Sequence, residues 1–165
     1  MTTIKISVLI ALAMSSIGLL GSNQVPEQPL MKVRMISKAI APGATVKAEL
    51  TIEFAPGLHG YQNPPMRDYE IPVTVKEGPG SPKVKPVYPP GHEIDFAGAK
   101  TMAYEGTVVI PFTFSAPKKV GPASAQIVVT TQQCNEGNCF PPQNQTIAIQ
   151  YSVVKPSKPG SSAKR

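Results

Sequence analysis

Val46-Lys-Ala-Glu-Leu-Thr-Ile-Glu-Phe54 alternates apolar and polar side chains without a break. Val46, Ala48, Leu50, Ile52 and Phe54 fall on one face, and Lys47, Glu49, Thr51 and Glu53 on the other. A period of two belongs to a strand with one face in a core and one in water. The same period recurs in Val33/Met35, Ile71/Val73/Val75, Val108/Ile110/Phe112/Phe114, Ile127/Val129 and Ile147/Ile149/Tyr151/Val153. The 19 prolines and 13 glycines leave few stretches that would hold a helix of ordinary length. Short strands between Gly/Pro turns predict an all-β chain, an immunoglobulin-like antiparallel β-sandwich.

That fold usually carries an inter-sheet disulfide between cysteines distant in sequence, packed on a buried tryptophan. Here there is no tryptophan, and the two cysteines, Cys134 and Cys139, lie in one short loop. They therefore do not staple the core. Two further segments, Ala55–Pro65 and Gly78–Gly98, read as irregular loops on the β scaffold, the usual seat of binding and chemistry.

The 165 residues suit one domain with a real core. Lys5, the apolar run Ile6–Leu20 and the small and polar residues after it read as a secretory leader over residues 1–22. The run is shorter than the roughly 20 apolar residues of a spanning helix. The domain is expected over 25–154, with a polar, disordered basic tail over 155–165. Once the leader is removed no membrane span is expected. The formal charge of +6 does not mark a nucleic-acid binder: Lys5 and the tail's Lys155, Lys158, Lys164 and Arg165 take five of the 16 basic residues, leaving 11 against 10 acidic.

Export decides the chemistry of the cysteines, because thiols pair in an oxidising compartment. If Thr130–Gln133 end one strand and Phe140 begins the next, Cys134 and Cys139 face each other across Asn135-Glu-Gly-Asn138. An average cross-strand pair sets its Cβ atoms about 4.5–5.5 Å apart, a little wide for a disulfide, which predicts a strained and reducible bond. As a staple, so short a ring contributes only about 2 kcal/mol in the chain-entropy model. Three readings stand at this point: a redox-active pair, a binding module with an inert disulfide, and a metal site completed by His59 and His92. Two thiols fall short of a metal's ligand set, so no metal and no other cofactor is expected.

Cys134-x4-Cys139-Phe-Pro-Pro142, after a β run ending Thr130-Thr-Gln-Gln133, resembles the N-terminal periplasmic domain of the thiol:disulfide interchange protein DsbD family. Phe54-Ala-Pro-Gly-Leu-His-Gly-Tyr61 is similar to that family's strand-then-loop segment, and Glu93-Ile-Asp-Phe-Ala-Gly98 to its cap loop. The resemblance implies an immunoglobulin-like domain, monomeric, with one redox-active disulfide that transfers electrons to thioredoxin-like periplasmic proteins, including those of cytochrome maturation. It implies that Cys139 forms the mixed disulfide and Cys134 resolves it. Phe96 would sit at the tip of a cap over the pair, with Asp95, His59, Tyr61 and Phe140 lining the site. The family's transmembrane and thioredoxin-like domains have no counterpart here, so a separate membrane-embedded reductant is expected. Ile94 stands where a second cap carboxylate is expected, and His59 and Gly60 replace aromatic character.

Overall fold

The alternating stretch at 46–54 forms the centre of a four-stranded antiparallel sheet. Its order is β1 (Leu30–Met35), β2 (Thr45–Glu53), β8 (Thr107–Ser115), β5 (Lys85–Pro86). The computed structural model describes residues 27–156; the expected leader and residues 157–165 of the expected tail lie outside the described residues. A second sheet has the order β10 (Gln143–Val153), β9 (Gly121–Thr131), β4 (Thr74–Glu77). Its long pair keeps one register from Gln143↔Thr131 to Val153↔Gly121.

The period-two residues meet between these sheets. Val46, Leu50, Ile52 and Ile110 are wholly buried from the first sheet, and Val73, Ile127 and Val129 from the second strand layer. Each such side chain contributes about 1.5–3 kcal/mol by leaving water. Register is thereby fixed, since a slip of one residue would turn Lys47 and Glu49 inward. No helix forms among the described residues. The architecture is the expected all-β immunoglobulin-like sandwich, and no described helix is long and apolar enough to cross a membrane.

The two segments expected to be irregular are only partly so. Ala55–Pro65 contains β3 (His59–Tyr61), and Gly78–Gly98 contains β5 and β6 (His92–Phe96). β5 edges the first sheet, whereas β3 and β6 together with β7 (Ala99–Glu105) make a third small sheet, ordered β3-β7-β6. Three residues such as His-Gly-Tyr carry no readable period. Their strand character comes from the partner, through His59↔Glu105, Gly60↔Tyr104 and Tyr61↔Ala103. This sheet is tied to the sandwich by bridges between Tyr61 and Pro72 and between His59 and Cys134.

Candidate thiol–disulfide site

Beyond Thr131 and Gln143 the β9–β10 hairpin narrows to a finger that carries the cysteines. Phe140 N–H donates to Gln133 O and Asn135 N–H to Asn138 O, each at 2.9 Å. These bonds flank Cys134 and Cys139, which makes them a non-hydrogen-bonded pair, the arrangement in which opposite residues approach closest. Their Cα atoms stand 4.0 Å apart and the sulfurs are joined. The expectation of a slightly wide pair is corrected by this pairing class. The tip is closed by Asn135, whose Oδ1 accepts from the backbone N–H of Gly137 at 3.2 Å and of Asn138 at 2.9 Å.

The two sulfurs live in different surroundings. Cys134 is the middle rung of a three-strand ladder: on its far side it exchanges both backbone bonds with His59, each 2.9 Å. It is fully buried. Cys139, on the outer side of the finger, is exposed.

Strand β3 supplies the floor of the site. Alternation sends His59 and Tyr61 to the face of the cysteines and Gly60 to the opposite face, where an added Cβ would lie 2.9 Å from Phe54 Cζ. The Tyr61 hydroxyl is 3.5 Å from Cys139 Sγ. A disulfide sulfur has no proton, so the hydroxyl donates. Burial, then the nearby Glu70 carboxylate, raises the Tyr61 pKa above the usual phenol value, which keeps that proton in place.

Phe96 packs onto the β3 side chains from the β6–β7 hairpin. Its ring centroid lies 5.5 Å from that of His59 and 6.3 Å from that of Tyr61, both edge to face. The hairpin turns at Ala97 and Gly98, with φ of 49° and 79°. Positive φ at both central residues is the primed turn that suits strand twist. The segment expected to form a cap is a hairpin with Phe96 as its last paired residue, opposite Ala99. Asp95 is exposed on the other face of β6 and pairs in register with Lys100. Among the described residues no hydrogen bond or ion pair joins Asp95 to the cysteines. Phe140 is half-buried and is held in the finger by its backbone, its carbonyl accepting from Gln132 Nε2 at 3.1 Å.

His59 is 4% exposed, and its Nε2 has no hydrogen-bond partner. Burial lowers its pKa below 6.5, partly opposed by Glu105, with His92 adding to the lowering. The ring is therefore neutral at pH 7. His92 Nε2 is engaged with Glu105 Oε2 at 2.8 Å on the outer side of the hairpin. Among the described residues no group of three or more metal-ligating side chains is gathered. Hollows of 280 Å³ beside Phe54 and of 430 Å³ beside Phe112 include neither cysteine in their walls.

Glu70 is a site residue that sequence reasoning missed. Its buried carboxylate accepts from the Met66 N–H at 2.8 Å, the Arg67 N–H at 3.1 Å, Arg67 Nη1 at 3.2 Å and Thr101 Oγ1 at 2.6 Å. Arg67 Nη2 also donates to the Lys100 carbonyl at 2.7 Å. The Phe96 hairpin is tied near its turn, at Lys100 and Thr101, to the loop after β3 by this cluster. Only the Arg67/Glu70 spacing was visible in sequence, and such i,i+3 pairs are common on any surface.

Comparisons with known proteins bear on the fold and the family. The fold is shared with the N-terminal periplasmic domain of ScsB from Proteus mirabilis, at 17% identity and a TM-score of 0.59 over 75% of this chain and 47% of that one. The chain thus spans about half the length of that structure. The reduced N-terminal domain of Neisseria meningitidis DsbD matches at 22% identity and a TM-score of 0.43, over 70% of this chain and 86% of that one. No match to a protein of curated function was found. Residues 27–150 match the family described as thiol:disulfide interchange protein DsbD, N-terminal, and the chain belongs to that family.

Proposed function

We propose that this protein is a thiol–disulfide carrier of an exported, periplasmic compartment, which passes electrons between thioredoxin-like partners and a membrane-embedded reductant through the Cys134–Cys139 pair. The observation that carries this reading is the inequality of the two sulfurs: Cys139 is open to a partner and Cys134 is fully buried. A partner thiolate reaches Cys139 Sγ in line with the S–S bond, and the electron pair leaves on Cys134. The partner's second thiol then attacks its own sulfur in the mixed disulfide and releases Cys139. The protein gains two electrons and two protons, and the partner becomes the disulfide. Running the two steps backwards reduces a downstream partner, with Cys139 attacking and Cys134 resolving.

The remaining roles follow from position. Phe96, packed on His59 and Tyr61, flanks the pair and narrows the approach of small oxidants while leaving Cys139 open to a partner, a partial gate beside a reactive site. Tyr61 donates to whichever form Cys139 takes. Asp95, on the outer face of the hairpin, and Phe140, beside Cys139, belong to the rim a partner meets. The domain of residues 25–154 acts as a monomer in this reading.

A Cys134→Ala variant tests the proposal. Without the resolving thiol, Cys139 accumulates a mixed disulfide with its partner, and mass spectrometry names that partner. A Cys139→Ala variant, whose remaining thiol is buried, traps none. Equal trapping by both variants, or by neither, sinks the carrier reading and favours an inert disulfide on a binding module.

A further inference from the structure

Opening the Cys134–Cys139 bond through Cys139 leaves negative charge on the wholly buried sulfur of Cys134. A buried thiolate is costly without a donor or a proton. Its backbone cannot help, because both the N–H and the C=O of Cys134 are committed to His59. The opposite residue of such a mutually bonded pair projects its side chain from the same face of the sheet. That residue is His59, whose ring is enclosed by Phe96 and Tyr61 and whose Nε2 is buried with no partner. An orphaned polar atom of this kind calls for a role in some other state of the molecule.

We infer that His59 is the hydrogen-bond donor and proton carrier for the Cys134 sulfur in the reduced protein. The inference rests on the carrier reading above and adds a residue to it. In the disulfide form the ring is neutral and Nε2 idle. When a dithiol partner's thiolate bonds to Cys139 Sγ, the S–S electron pair passes to Cys134 Sγ. The Nε2 hydrogen then donates to that sulfur, and the new charge raises the imidazole's affinity for a proton. One proton, released by the partner's thiol to water, completes an imidazolium–thiolate pair or resides on Cys134 as the thiol. The charged and titratable groups facing the ring are Tyr61 on its own strand, Glu105 on β7, His92 on β6 and the two cysteines. Glu105 supports a cation at His59, and its main opponent is burial, which a thiolate beside the ring offsets.

The chain holds two histidines, so ring titration by NMR is readable on the full protein, with His92→Gln as the assignment control. In the oxidised protein the His59 ring titrates below the ordinary imidazole range; on reduction by dithiothreitol its proton affinity rises about tenfold. His59→Phe, which keeps an aromatic ring beside Phe96, slows reduction by dithiothreitol about tenfold at pH 6. The ratio of wild-type to variant rate shrinks toward pH 9, a comparison in which the reagent's own ionisation cancels. Identical His59 titrations in the two redox states overturn the inference, and this readout needs no variant to fold. If thioredoxin-like dithiols and dithiothreitol leave the wild-type disulfide closed, the carrier reading fails first; if the wild type is reduced but the His59 curves coincide, only the role of His59 fails.

Discussion

The hydroxyl of Tyr61 touches the sulfur of Cys139 at 3.5 Å, across 78 positions of sequence. A donor fixed on the exposed sulfur is worth more to a thiolate than to a disulfide, because bonds to charged acceptors are about twice as strong as neutral ones. Tyr61→Phe therefore raises the Cys139 thiol pKa by about one unit in a Cys134→Ala background. Thiolate absorbance against pH measures it, and an unchanged titration would mean the contact is packing alone.

Phe96 sets how freely small reagents reach the pair. Phe96→Ala removes the ring that lies 5.5 Å from His59 and 6.3 Å from Tyr61. Air or peroxide oxidation of the reduced protein is expected to accelerate about tenfold. Folding stability falls by about 1–2 kcal/mol, since the ring is only half-buried. Stopped oxidation assays and denaturant melts separate the two effects.

Two buried groups, Glu70 and His59, make stability depend on pH on the acid side. Burial alone would raise the Glu70 pKa, but the bonds from Thr101, the Arg67 and Met66 amides and the Arg67 guanidinium outweigh it and lower the pKa below 4.5. A carboxylate whose pKa is depressed on folding stabilises fully above pH 4.5, and that contribution is lost as pH falls through the folded value. His59, held neutral by burial, likewise stabilises fully above pH 6.5 and less as pH drops through its own lowered pKa. Melting temperature should decline in two stages on acidification. Glu70→Gln removes the lower stage and costs about 2–4 kcal/mol at pH 7, since four donors lose a charged acceptor. A single acid transition unaffected by Glu70→Gln would contradict this assignment.

Gly60 separates the two site residues of β3 and faces the core. An added methyl would meet Phe54 Cζ at 2.9 Å and Cε1 at 3.1 Å, so the ring must shift. Gly60→Ala is expected to destabilise by about 1–3 kcal/mol through overpacking. It should also disturb the Tyr61–Cys139 contact. A stable variant with unaltered exchange kinetics would show that the ring yields freely.

The sandwich was legible in the chain because its strands carry their own evidence. Val46 to Phe54 and Val108 to Phe114 alternate so regularly that only one face can be buried, and the buried residues are those the period selects. The cysteine pair and its turn were equally plain, being local. What was hidden lies where strand character or burial is conferred from a distance. His59-Gly60-Tyr61 is a strand only because Tyr104 and its neighbours lie alongside, and the Phe96 hairpin turns at Ala97, a residue type that gives no turn signal. Glu70 reads as any surface carboxylate until Thr101 and the backbone close on it.

By itself, then, the sequence determined an all-β chain with two thiols five positions apart, since hydrophobic period and loop spacing are properties of neighbours along the chain. The tertiary structure alone decided that those thiols are unlike. Cys134 is enclosed because β3, distant in sequence, completes a rung beside it, while Cys139 keeps an open side. No local pattern encodes which of two cysteines will be covered, because the covering strand is held in place by contacts made elsewhere in the fold.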